Sequence, residues 1–273
     1  MDQMEAALTS VPGASRMWDE DPDSDEEGYE EPEQLAAPVV LWGNPDATLL
    51  RRRCLIVGLR GGGSLFTQNC LCEGAAMIGA VIMPQTGGQS LPRTVEEAAE
   101  EPESALIYDV GDALVVNVQY FVAAERAREW AAALLAAAPA EHVSVLNTVA
   151  VQSFFNTEVE IPTPPLLLKL ETPAQQAKNL APMVQPLPAP NHADGLSAAI
   201  FEHVMLAGGA ASIYLSLQDA QDVSSKTLLA FVPAVEACGI KGLAENVLRQ
   251  GCNKGAVQSS STAEIGTRNR MYL

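Results

Sequence analysis

The chain has 273 residues, 34 acidic against 16 basic side chains and a formal net charge of −18; 48% of it is apolar but only 5% aromatic. That length and apolar content suit one or two domains with a real core, and they exclude collagen, a coiled coil and a small disulfide-stapled module. The negative surface argues against general nucleic-acid binding, which needs a basic one, and against docking on anionic lipid.

The charge is uneven. Residues 1–34 hold twelve acids against the single Arg16, leaving 22 acids and 15 bases for residues 35–273. Trp18 to Gln34 cannot offset its ordering entropy by apolar burial, so the expectation is a disordered acidic tail over 1–37, a folded α/β domain over 38–250 and a flexible tail over 251–273. The N-terminus lacks the basic region and apolar run of a signal peptide, and the longest apolar stretch, Ala75 to Met83, is too short to span a bilayer. A soluble intracellular protein with no membrane contact is expected, cytoplasmic with the nucleus open.

Pro38 to Asn44 reads as an extended lead-in strand. The basic cluster Arg51 to Arg53 runs into Cys54-Leu-Ile-Val-Gly58, a buried strand ending at the tight turn Gly61-Gly-Gly-Ser64. Ser64 is placed to cap a helix over Leu65 to Glu73. A second apolar run, Ala76 to Met83, stops at Pro84. Thr86 to Ser104 is a loop with a helical turn near Val95 to Ala99. Ala105 to Val110 and Ala113 to Gln119, joined by Gly111-Asp112, form a hairpin signal. Ala123 to Ala138, with nine alanines, predicts a helix with a core face of Trp130, Leu134 and Leu135. Val143 to Val151 returns to strand, so strand, helix and strand follow one another as in a layered α/β fold.

Eight prolines between Pro162 and Pro190 keep regular structure brief, with Leu166 to Leu170 an isolated strand. Gly195 to Ala207 then predicts a helix and Ala210 to Leu217 a strand. Ser224 to Ala237 predicts a helix capped by Ser224 and kinked at Pro233, and Leu243 to Arg249 a last short helix.

The residue patterns that carry chemistry are incomplete. Gly58-x-x-x-x-Gly63 has the glycines of a phosphate loop, but Ser64 stands where that loop needs Lys. As a dinucleotide fingerprint, Gly61-x-Gly63 fails at Phe66. There is no Gly-x-Ser-x-Gly elbow. His192 and His203 are candidate bases but read more simply as surface or capping residues, and Asp219 with Asp222 reads equally as a helix start. Cys54, Cys70, Cys72, Cys238 and Cys252 form no Cys-x-x-Cys pair, and His142, His192 and His203 lack ligand spacing with them. Free thiols, no metal and no cofactor are expected. Met271-Tyr272-Leu273, on a tail with Arg268 and Arg270, can act as a detached ligand: its carboxylate can meet a basic pocket while the Tyr fills a cleft.

In the C-terminal third, Leu196-Ser-Ala-Ala-Ile-Phe201, Ala210-Ala-Ser-Ile-Tyr-Leu-Ser-Leu217, Lys241-Gly-Leu-Ala-Glu-Asn246 and Asn269-Arg-Met-Tyr-Leu273, in that order, resemble the proteasome assembly chaperone 1 family. Tyr120-Phe-Val-Ala-Ala124, Trp130 and Val143-Ser-Val-Leu146 look like that family's central strand, helix and strand. The resemblance implies a three-layer α/β/α sandwich around a mixed sheet, and an interaction protein in place of an enzyme. It further implies a heterodimer with proteasome assembly chaperone 2 that sits on the proteasome α-subunit ring and promotes core-particle assembly. Met271, Tyr272 and Leu273 would be the hydrophobic-Tyr-X anchor in a pocket between α-ring subunits. The Pro-rich segment 173–190 and the turn at 61–63 depart from the family pattern. The alternative is a hydrolase or phosphorylase with a site near Gly61 to Ser64 and acids such as Asp219 beside it. An open, apolar-lined pocket at that turn would favour the enzyme; a filled turn and an exposed apolar patch would favour the chaperone.

Overall fold

The computed structural model describes residues 36–44, 52–84, 91–155, 166–178, 180–218 and 228–239. The acidic tail, the Ser224 cap, the helix expected at 243–249 and the C-terminal tail lie outside them. None of the described helices is long and apolar enough to cross a membrane.

The described residues form a three-layer sandwich around one nine-stranded mixed sheet. Its strands are β1 (Val39–Trp42), β2 (Arg52–Gly58), β3 (Ala76–Ile82), β4 (Ser104–Val110), β5 (Ala113–Asn117), β6 (Ala140–Ala150), β7 (Leu166–Glu171), β8 (Gln185–Pro186) and β9 (Ala211–Gln218), in the order β1-β3-β4-β5-β2-β6-β9-β7-β8. The centre, β5-β2-β6-β9, is parallel. Antiparallel β4, β3 and β1 extend one side, and β7 runs antiparallel to β9 on the other. The run Cys54 to Gly58 is buried throughout, as a strand covered on both faces must be. The hairpin between β4 and β5 turns through Gly111 at φ 69°, a backbone state that glycine adopts without strain.

One face is covered by α3 (Ala124–Ala137) and α5 (Gly195–Leu206), which pack side by side and are joined at the surface by Arg128 and Glu202, 3.0 Å apart. Trp130 and Leu134 are fully buried against Leu55, Val57, Val145 and Ile213. The Trp130 indole N–H donates to the Tyr120 hydroxyl at 2.8 Å, so the large ring is buried with its one polar atom satisfied. The other face carries α1 (Gly62–Phe66), a π-helical turn at Thr67–Leu71 and α6 (Val232–Ala237), with Phe66 and Phe231 packed at 5.6 Å between ring centroids. Two short helices, α2 (Val95–Glu100) and α4 (Pro173–Gln176), and a 3-10 turn at Val151–Ser153 complete the described elements; Thr94 caps α2 by accepting from the Glu97 N–H.

Three sequence expectations change. Ser64 is not a cap: α1 starts two residues earlier, with Gly61 before it, and the Ser64 side chain turns inward. The strand at Leu166 is not isolated, because β9 offers it a full antiparallel edge. Pro233 does not kink a long helix; it stands in the first turn of α6, where its missing N–H has no intrahelical partner to lose.

Candidate functional site

The carboxyl ends of β2, β5 and β6 lie together, the position where parallel sheets commonly bind ligands. Two different structures occupy it. The first is the Gly-rich turn, and it is filled by the protein itself. Gly61 has φ 104°, and a Cβ there would meet Thr148 Oγ1 at 2.6 Å. At Gly58 a Cβ would meet the Thr67 side chain at 2.5 Å, and at Gly63 it would collide with the Leu146 carbonyl. The glycines therefore let α1 press its first turn onto β6. Ser64 Oγ donates to Asn117 Oδ1 at 2.7 Å, and Thr67 Oγ1 lies 3.2 Å from the same oxygen. These bonds pin α1 to the end of β5 and leave the Ser64 hydroxyl buried, not presented to a phosphate.

The second is an open cleft of about 330 Å³, lined by Leu59, Arg60, Val118 to Val122 without Gln119, Asn147 to Ala150, Ser153 and the first residues of α5. A neighbouring hollow of about 210 Å³ shares Val149, Ser153 and Asp194 with it and continues past Phe154, Phe155, Leu187 and His192 to Leu215 and Leu217. The lining is mainly apolar. Phe121 is 74% exposed at one margin and Phe155 64% exposed at the other. Phe155 is held in place by Asn191, whose Oδ1 accepts its N–H and whose Nδ2 donates to its carbonyl, both at 2.8 Å. The polar groups of the cleft mostly serve the fold: Ser197 Oγ donates to the Asp194 carbonyl at 2.7 Å, and the Thr148 N–H donates to Asn147 Oδ1 at 2.8 Å. Tyr120 titrates well above its ordinary range because it is buried. Two exposed phenylalanines flanking an apolar cleft suit the covering of apolar surface by a protein partner.

On the opposite face of the sheet a polar cluster is buried. The β2–β6 register places Cys54 directly beside His142, and Cys238, just past α6, reaches down onto both. Cys54 Sγ donates to Cys238 Sγ at 3.0 Å; His142 Nε2 lies 2.7 Å from Ser144 Oγ, which is 3.5 Å from Cys238 Sγ. The ligand atoms of Cys54, His142 and Cys238 all lie within 4.8 Å of one another. Burial, followed by the charge of Lys178, pulls His142 down to about 4, so it is neutral at physiological pH. The absence of ligand spacing in the sequence is therefore overcome in space for His142. Cys54, Cys70, Cys72 and Cys238 are all buried, and none of them is joined in a disulfide among the described residues.

Met271, Tyr272 and Leu273, and Asp219 with Asp222, lie outside the described residues. His192 is exposed beside the smaller hollow and His203 is exposed near the end of α5, so the structure does not bring them together. The cleft residues Phe121 and Phe155 carry no sequence signal of their own, because three segments far apart in the chain build one surface.

No protein-family model and no curated protein matches this chain. Solved structures do share its fold. PbaB of Pyrococcus furiosus, an archaeal proteasome activator, superposes with a TM-score of 0.58 at 15% identity, over 80% of this chain and 96% of its own. PbaA of the same organism, an archaeal homolog of proteasome-assembly chaperone, gives 0.58 at 15% identity, over 79% of this chain and 92% of its own. A protein of unknown function from Thermoplasma acidophilum gives 0.51 at 14% identity, over 75% and 86%. The three-layer fold of this chain is thus one that PbaA, an archaeal homolog of proteasome-assembly chaperone, also adopts.

Proposed function

We propose that this chain is a proteasome assembly chaperone that pairs with proteasome assembly chaperone 2 and binds the α-subunit ring during core-particle assembly. The observation that carries the reading is the fold shared with PbaA, which extends over 79% of this chain and 92% of that one. In this reading Met271, Tyr272 and Leu273 are the anchor, with the Tyr ring filling an apolar-walled cleft. The apolar cleft between Phe121 and Phe155 supports the reading, as a surface for a globular partner. A three-residue anchor makes a small interface, so the globular face supplies most of the affinity and the anchor adds effective concentration. In the enzyme reading, a phosphate or nucleoside would enter at Gly61 to Ser64, where Thr148 and Leu146 already stand against the turn.

The test is a pull-down from a cell extract with the full chain and with a Met271–Leu273 deletion, read by mass spectrometry. The full chain recovers α subunits and a second chaperone; the deletion loses most of the α subunits, keeps the second chaperone and unfolds at the same denaturant midpoint. Recovery of neither partner by the full chain would sink the proposal, and a folding defect in the deletion would remove the anchor from it.

A further inference from the structure

The cluster of Cys54, His142, Ser144 and Cys238 plays no part in the surface just described, yet it places two thiols against each other across 184 residues of chain. We propose that Cys54 and Cys238 are a modification site: a dithiol that hydrogen peroxide converts reversibly to a disulfide, fastening the end of α6 to the central strand β2.

Three geometric observations carry this. The sulfurs are 3.0 Å apart and have only to close by about 1 Å to reach the length of an S–S bond, about 2.05 Å. The two sulfurs are not equivalent: Cys54 donates its S–H to Cys238, whereas Cys238 has Ser144 Oγ at 3.5 Å and, while protonated, donates to the Ala234 carbonyl at 3.4 Å. Third, Arg53 reaches the same place, since a Cβ on Gly239 would lie 2.8 Å from its guanidinium. A sulfur that receives hydrogen bonds beside a guanidinium is the one that ionises, and a thiolate is the form that attacks peroxide. The Cys54 hydrogen bond, and to a smaller extent Ser144 and Arg53, pull the Cys238 thiol down against its burial, while the same hydrogen bond and burial push Cys54 up.

The chemistry balances with peroxide as the oxidant. The Cys238 thiolate attacks one peroxide oxygen; the S–O bond forms, the O–O bond breaks and hydroxide leaves to become water with the Cys238 proton. Cys54 then attacks the sulfenic sulfur; the S–S bond forms, the S–O bond breaks and hydroxide leaves with the Cys54 proton as a second water. Two electrons pass from the thiols to peroxide, and a cellular dithiol returns them. Both sulfurs are buried, so peroxide reaches them when α6, a helix of six residues, opens locally. Oxidation then fixes Gly239, two residues past the end of α6, onto the sheet.

The geometry is tighter than a metal would leave it. Two thiolates on tetrahedral zinc stand about 3.8 Å apart when each Zn–S bond is about 2.3 Å, against the 3.0 Å found here.

The experiment treats the full-length chain with peroxide in native buffer, blocks remaining thiols after denaturation and maps the digest without reductant. The expected product is one peptide pair joining Cys54 to Cys238, lighter by two hydrogens than the free pair and separated by dithiothreitol. In Cys54→Ser, dimedone labels Cys238; in Cys238→Ser, it leaves Cys54 unlabelled. The wild-type map needs no variant to fold. Full alkylation of both residues after peroxide, bridges through Cys70, Cys72 or Cys252 in their place, or one zinc ion held by Cys54, His142 and Cys238 that blocks oxidation would each overturn the proposal.

Discussion

The same strands present two unlike faces. Toward α3 and α5 they contribute Leu55, Val57, Leu114, Val116, Val145, Ile213 and Leu215, a face that is apolar at every buried position. Toward α1 and α6 they contribute Ile56 and Val115, but also Cys54, His142, Ser144, Ser212, Tyr214 and Ser216, all buried. The β7 edge of that second face adds Lys169 and Glu171, paired at 2.9 Å, with the Lys169 ammonium also donating to the Ala181 carbonyl. The first face holds the domain together chiefly by apolar packing. The second gives up some of that packing for groups that can change protonation or oxidation state, so perturbations of the two should differ in kind as well as size.

The largest effect belongs to the apolar face. Trp130→Ala removes the largest fully buried side chain and the donor to Tyr120. The site sits between two helices and the sheet and has little room to collapse, so the cost should be about 4 kcal/mol. Urea unfolding should show the midpoint falling at unchanged slope. A loss below about 1 kcal/mol would mean that this face is not the one that carries stability.

The apolar face is also the one that the sequence makes plain. Trp130, Leu134 and Leu135 recur at helical spacing and cover it; Cys54 to Gly58 is a continuous apolar run and becomes a central strand. The second face resists such reading. Ala211-Ser-Ile-Tyr-Leu-Ser-Leu217 alternates, and alternation ordinarily marks a strand with one wet side. Here the polar side is covered, and Tyr214 is wholly buried. Likewise Cys54 and His142 are 88 positions apart in the chain and become neighbours through one parallel register. Local pattern carries no information about a register that tertiary packing selects. For the candidate site the division is similar. The Gly-rich turn announces itself, and the structure explains its glycines by close approach; the cleft beside it is assembled from the β5–α3 connection, the end of β6 and the start of α5, none of which stands out alone.

His142 gives the next effect, and its sign separates the faces. Burial holds its folded-state value at about 4 against an ordinary 6.5, so the unfolded chain binds the proton first as pH falls. The neutral ring's contribution is fully present above about pH 6.5 and is lost progressively as pH falls through about 4. A shift of this size corresponds to about 3 kcal/mol. Denaturant midpoints at pH 7.5 and 4.5 measure the loss. His142→Gln should flatten that part of the profile whatever it does to stability at pH 7.5, whereas Trp130→Ala should lower the whole profile and keep its shape. An unchanged slope in His142→Gln would show that the acid sensitivity comes from other groups.

The smallest effect tests whether the polar side chains of the second face are all used. Ser144 and Ser216 are both fully buried. Ser144 bridges His142 and Cys238, whereas Ser216 Oγ has no hydrogen-bond partner among the described residues. Removing a bridging hydroxyl leaves the His142 ring nitrogen unpaired, so Ser144→Ala should cost about 1–2 kcal/mol. Removing a hydroxyl that is already unpaired relieves a desolvation penalty, so Ser216→Ala should be neutral or stabilise by up to about 1 kcal/mol. The same pair of urea titrations decides both. If Ser216→Ala costs as much as Ser144→Ala, then Ser216 has a partner in the residues outside the described set, and this face is satisfied more completely than its own strands and helices account for. If the two differ in sign, the hydrogen bonds of the face are concentrated where the thiols meet, and the serines farther along β9 are a reserve of polarity that the fold carries at a cost.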